Sequence, residues 1–214
     1  MFDPPPGHAD LDADALAAPS QPVSWERLTV DDEVGDVLAT PPRPAALAAL
    51  ARATRAGLSD EERLAGMVEF LRAHMPAAEF ERLLMEQMMD RMPVNVMDRV
   101  IRAVTTWGTG RPYQAVLVLT AHTAAQWREV RTKLLLAGVA DPMGLASMHR
   151  ILDVTEHMVV EVLVSVPDAE TRLASWRRGL YGPVAGEVPA GFSAEEVEDS
   201  FDAFARAAHG GTVP

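Results

Sequence analysis

The sequence predicts an all-α protein: two small helical bundles joined by a Gly/Pro-containing linker, behind a disordered acidic N-terminal tail. Three observations carry this expectation. Apolar residues recur at three- and four-residue spacing from Ala45 to Leu180, with no confident two-residue alternation. Helix starts and stops are marked by capping residues, proline and glycine. The first 22 residues hold five prolines, scattered Asp and small side chains, too little apolar content to offset the entropy of ordering.

Residues 1–22 are therefore expected to be a disordered acidic tail, followed by residues 23–44 as an arm. Within that arm Val23 to Val30 reads as a short strand or an extended segment, with Trp25 available to pin it to the bundle. Residues 45–108 read as a first helical unit. Pro44 can open an Ala/Leu helix that closes at Gly57. Ser59 and Glu62 have the spacing of a capping box, ahead of a face carrying Leu64, Met67, Val68 and Leu71. Pro76 opens a helix with the stripe Phe80, Leu83, Leu84 and Met88. Asn95 and Asp98 cap another, which carries Met97, Val100, Ile101, Val104 and Trp107 and stops at Gly108.

Gly108-Thr109-Gly110-Arg111-Pro112 is the joint, because two glycines and a proline do not continue a helix cheaply. Beyond it residues 112–182 form a helical extension. Pro112 to Ala137 reads as one helix of roughly seven turns ended by Gly138. Asp141-Pro142 restarts the chain as N-cap and first helical residue. Asp168 caps a helix bearing Leu173, Trp176 and Leu180. A loop from Gly182 to Gly191 leads to a C-terminal helix over 192–209, with a second capping box at Ser193 and Glu196 and a Val197, Phe201, Phe204 stripe.

Composition narrows the function. With 214 residues and no cysteine, the chain has length for a proper core but no disulfide, thiolate nucleophile or cysteine metal site. No apolar run approaches the roughly 20 residues that span a bilayer, and Met1 to Pro6 has no signal-peptide pattern, so a cytoplasmic setting is expected. Residues 1–42 carry nine acids against Arg27 alone, a net of −8, while residues 109–186 carry seven acids against eight bases, a net of +1. Phosphate neutralisation needs clustered Lys and Arg, so this acidic lead argues against a nucleic-acid partner.

Candidate chemistry is sparse. His149, Asp153 and Glu156 share a helix face, a geometry that suits a zinc ligand set or an acid/base pair. The neighbouring face carries Met148, Ile151, Leu152, Thr155 and Val159, which favours reading the trio as the solvated side. His122, Gln126 and Glu129 line a wet face in the same way. Asp60-Glu61-Glu62 is explained by the helix dipole. No Gly-rich phosphate loop or serine elbow occurs, so the expectation is a non-enzyme with no metal and no cofactor. Met85, Met88, Met89 and Met92 recur at helical spacing. They are either core filler or an adaptable surface for apolar partners. Trp107, Trp127 and Trp176 sit on apolar stripes as core anchors.

Gln126 to Val162, a helix, a DPxxL turn and a second helix, resembles the downstream part of tail assembly chaperones of long-tailed, siphovirus-type actinobacterial phages. The residues that carry the resemblance are Trp127, Val130, Arg131, Leu134, Gly138, Asp141-Pro142, Leu145, His149, Leu152-Asp153 and Glu156. Residues 45–107 are similar in size and helical pattern to the upstream chaperone domain, whereas the tail, the Trp25 arm and the final helix have no counterpart. The resemblance implies a frameshift-extended or fused chaperone that acts in the host cytoplasm and is absent from the mature virion. It also implies binding to the tape measure protein and help in bringing tail-tube protein to it; self-association is a further possibility, and charge and apolar run length argue against a nucleic-acid or membrane partner. The alternative is a structural or scaffolding subunit of a phage or phage-derived particle.

Overall fold

The computed structural model describes residues 6–19, 23–55 and 57–182. Helix α1 (Pro6–Ala17) comes first, then an antiparallel hairpin of β1 (Glu26–Thr29) and β2 (Asp36–Ala39). Helices α2 (Ala46–Ala53), α3 (Asp60–His74), α4 (Ala77–Met88) and α5 (Val96–Thr106) follow. After the joint come α6 (Tyr113–Ala125), α7 (Trp127–Leu136), a 3₁₀ turn (Pro142–Gly144), α8 (His149–Val164) and α9 (Ala169–Tyr181). Among the described residues the chain is thus mostly helical, with one small two-stranded sheet. The expected helix over 192–209 and the loop before it lie outside the described residues.

Several expectations are corrected. Residues 6–17 of the expected disordered tail are a helix, because Leu11 is fully buried and the acids beside it meet cations on other helices. Of the two readings of Val23 to Val30, the short strand holds as β1, and what the sequence did not show is its pairing with β2 as a hairpin. Its register runs from Glu26 opposite Ala39 to Thr29 opposite Asp36, and Val37 and Ala39 point inward from alternate positions of β2. The Asp31 carboxylate closes the turn by accepting the N–H groups of Glu33 and Val34 at 3.0 and 2.9 Å. Arg99 on α5 binds Asp31 and Glu33 at 3.1 and 2.5 Å and so fixes the hairpin to the bundle. Trp25 stays 40% exposed and does not pin the arm. The single helix expected from Pro112 to Ala137 is two, α6 and α7, broken at Gln126 without a glycine or proline.

Caps fall where the sequence puts them, with three differences, one being that Asp168 stands at the N-cap of α9 with a left-handed φ of 61° and no side-chain bond. The Ser59 hydroxyl accepts the Glu62 N–H at 3.2 Å while the Glu62 carboxylate accepts the Ser59 N–H at 2.8 Å, completing the capping box of α3. Asp141 accepts the Met143 N–H at 3.0 Å, but what it caps is a 3₁₀ turn. Asn95 stands at the N-cap of α5 without a side-chain bond, and Asp98 pairs with Arg102 at 2.8 Å instead. On α3 the buried set is Met67, Phe70, Leu71 and His74, leaving Leu64 61% exposed.

The two expected bundles share one core that runs from Leu11 to Leu180. Helix α2 joins them. It buries Ala46, Leu47, Ala48, Leu50, Ala51 and Ala53, and it packs against α1, α3 and α6 together. Small residues let these helices approach: a Cβ on Gly66 of α3 would lie 2.8 Å from the Ala53 Cβ, and one on Gly7 of α1 would lie 2.4 Å from the Ala125 carbonyl oxygen. In the downstream half the buried hydroxyls of Thr123 on α6 and Thr155 on α8 meet at 2.7 Å. Phe70→Ala is expected to lose about 3–5 kcal/mol in urea unfolding, since it empties a fully buried site. Leu64→Ala should change stability by less than about 0.5 kcal/mol.

Candidate functional site

The polar trio on α8 is held for structure. Arg111, from the joint, reaches back to α8 and donates to Asp153 at 2.7 Å and to Glu156 at 2.6 Å. The Tyr181 hydroxyl of α9 donates to the other Glu156 oxygen at 2.8 Å. One cation therefore ties the joint, α8 and α9 together. Its guanidinium is pushed further toward the protonated form, burial opposing and the two carboxylates outweighing it. His149 belongs to the same helix face by spacing but points inward: it is 5% exposed, and neither ring nitrogen has a well-formed hydrogen bond among the described residues. Burial holds its pKa below the ordinary histidine value, and the nearby Arg111 adds to this, against the opposing effects of the Trp107 backbone and Asp153. Among the described residues no three His, Asp or Glu side chains cluster in a way that could hold a metal ion.

The other polar candidates are dispersed. His122 is half-buried, while Gln126 and Glu129 face solvent. In the Asp60 to Glu62 run, Glu62 serves the Ser59 cap, whose backbone N–H holds its pKa below the usual carboxylate range. Trp127 is fully buried, and Trp107 and Trp176 pack partly buried against the core.

The methionines divide by position. Phe80 and Leu83 form the buried face of α4. Met85, Met88 and Met89, on the opposite side and at its end, are 51%, 79% and 52% exposed. Met92 is half-buried and packs on the core. Val94, 88% exposed, follows in the turn to α5. That turn is well tied: the Gln87 amide donates to the Val94 carbonyl at 2.6 Å, the Arg91 N–H to the Glu86 carbonyl at 2.9 Å, and Asp90 takes a left-handed φ of 54°. Exposed, unbranched apolar side chains are thus carried on an ordered helix end. Such a surface can bind apolar polypeptide and can do no acid–base or nucleophilic chemistry.

Residues 1–112 match the family described as phage tail assembly chaperone protein. The chain belongs to that family. Membership implies a non-enzymatic role in phage tail assembly. The chaperone also matches a family of unknown function over residues 122–210. No curated protein and no solved structure matches it. The tail-chaperone match covers the tail and the Trp25 arm, for which no counterpart was expected. The segment from Trp127 to Glu156, which carries the resemblance most closely, falls instead under the family of unknown function. Between the two matches lie the first turns of α6, just past the Gly/Pro joint. Among the described residues no helix is long and apolar enough to cross a membrane.

Sequence reading missed Arg111, which it took only as part of a helix-breaking linker. A lone arginine beside a proline gives no local signal, and its partners lie more than 40 residues away. Arg111→Gln should leave the partly buried Glu156 without its cation and cost about 2 kcal/mol in chemical unfolding. His149 sets a pH dependence. Its folded pKa is lowered, so its contribution is fully present above the unfolded value of about 6.5 and is lost as pH falls through the folded value. Stability measured from pH 7 to pH 5 should decline, and His149→Gln should flatten part of that decline.

Proposed function

We propose that this chaperone binds the tape measure protein and promotes tail-tube assembly, acting in the host cytoplasm and leaving before the virion is complete. The observation that carries the reading, alongside family membership, is the exposed methionine surface on the ordered end of α4. A long apolar helical client has one stripe to hide from water. Met85, Met88 and Met89 offer flexible, polarisable contacts that accept varied apolar side chains, with Met92 beneath them as support. In this reading residues 45–108 are the chaperone unit proper, and residues 112–182, with the segment at 192–209, are an extension added by frameshifting or gene fusion at the joint. The end of the tail-chaperone match at residue 112 supports that division.

Co-expression with the tape measure protein should yield a stable soluble complex. A triple Met85→Gln, Met88→Gln, Met89→Gln variant should keep its far-UV circular dichroism and its unfolding midpoint, since these side chains are exposed, yet lose most of the solubilised client. A client that stays equally soluble without the chaperone counts against the proposal. Mass spectrometry of purified particles separates the alternative, because a structural or scaffolding subunit would be abundant in the finished tail and a chaperone would not.

A further inference from the structure

Helix α1 carries few apolar contacts for an element of its length. Among its described side chains Leu11 is the one large one that is fully buried, Ala15 packs partly buried against the core, and Leu16 is 88% exposed. An isolated helix of 12 residues is marginal in water. Beyond the close approach of Gly7 to α6 and the buried Leu11, the contacts that hold α1 are charged. Asp10 pairs with Arg128, Asp12 with Arg52 at 2.8 Å and Asp14 with Arg131 at 2.9 Å. Asp14 also accepts the indole N–H of the buried Trp127 at 2.6 Å. All these ion pairs are partly exposed, and such pairs are weak and screened by salt.

The pairing shows how α1 lies. Asp10 opposite Arg128 and Asp14 opposite Arg131 set α1 running parallel to α7, against α2 and α6 as well. Trp127, Arg131 and Leu135 are spaced four apart and so line one face of α7. That face continues past the end of α1. A cleft of about 370 Å³ opens there, lined by Ala17, Pro19, Leu135, Ala140, Pro142 and Met143 among others. The groove is longer than its present occupant.

From this we infer that the α2, α6 and α7 groove is a second helix-binding surface, and that α1 is a releasable latch occupying it. The ligand it takes is a helix of a partner polypeptide carrying two carboxylates one turn apart with a leucine beside the first, the pattern Asp10, Leu11 and Asp14 supply from within. Arg128 and Arg131 read the carboxylates, the Leu11 site takes the leucine, and the cleft beside Leu135 receives a further turn. This surface is separate from the methionines of α4, and its test is independent of theirs.

The test uses full-length protein and, as probe, a fluorescein-labelled, C-terminally amidated peptide of residues 6–17. In an Asp10→Lys, Asp14→Lys variant, hydrogen exchange at residues 6–17 should accelerate by about tenfold or more while α2 and α6 stay protected. The peptide should bind that variant at least about tenfold more tightly than it binds wild type, as read by anisotropy. A peptide with lysine at both positions should bind instead to an Arg128→Glu, Arg131→Glu variant. In the wild type, raising salt should speed exchange in α1 and leave α2 unchanged, a reading that needs no variant to fold. Exchange in α1 that responds neither to salt nor to charge reversal, or a peptide that binds wild type and variant alike, overturns the inference.

Discussion

Helix α2 is only eight residues long, yet α1, α3 and α6 all pack against it, and its alanines and leucines are buried on nearly every side. That crowding works because small residues stand where backbones come closest: Ala53 against Gly66, and the Ala124 and Ala125 carbonyls against Gly7. A larger side chain at either glycine would have to push a whole helix away, since the atoms it meets are backbone or Cβ. The remaining elements are placed by reference to this contact. Helix α3 turns back into α4 and α5, which carry the methionines and the hairpin. Helix α6 leads through Thr123 to α8, and Arg111 locks α8 and α9 to the joint.

The uneven charge of the chain acquires a physical meaning from this arrangement. Acids concentrated in the first 42 residues do not simply repel other copies and keep the protein dissolved. Several are spent inside the molecule, on Arg52, Arg99, Arg128 and Arg131. Exposed apolar surface tends to collapse onto itself unless the backbone beneath it is held in place. Here the exposed methionines sit on a helix end whose turn is tied by its own hydrogen bonds, away from the ion-paired α1. The exposed apolar surface and the contacts that hold α1 and the hairpin in place are therefore drawn from different residue types.

Local signals were legible and distant ones were not. Ser59 with Glu62, Pro76 and Asp141 could be read because cap chemistry acts within three or four residues. The buried stripe of α5 follows from spacing, as does that of α8 except for His149, which spacing assigns to the solvated side and which is buried. Helix α1 was unreadable as a helix because its apolar content is low and its cations are distant along the chain, Arg52 by 40 residues and Arg128 and Arg131 by more than 100. The carboxylate spacing of Asp10 and Asp14, set against Arg128 and Arg131, was the available clue. The break at Gln126 has no breaker residue, and β2 is too short for its alternation to stand out. For the methionines, spacing alone favours core over surface, and it is the inward turn of Phe80 and Leu83 that leaves Met85, Met88 and Met89 outside.

The most direct test of the account is hydrogen-exchange mass spectrometry of the full chain, alone and in complex with the tape measure protein. The account predicts new protection over residues 84–95 on complex formation, with α2 already slow in the free protein and unchanged. A stable complex in which residues 84–95 exchange as freely as before would contradict it.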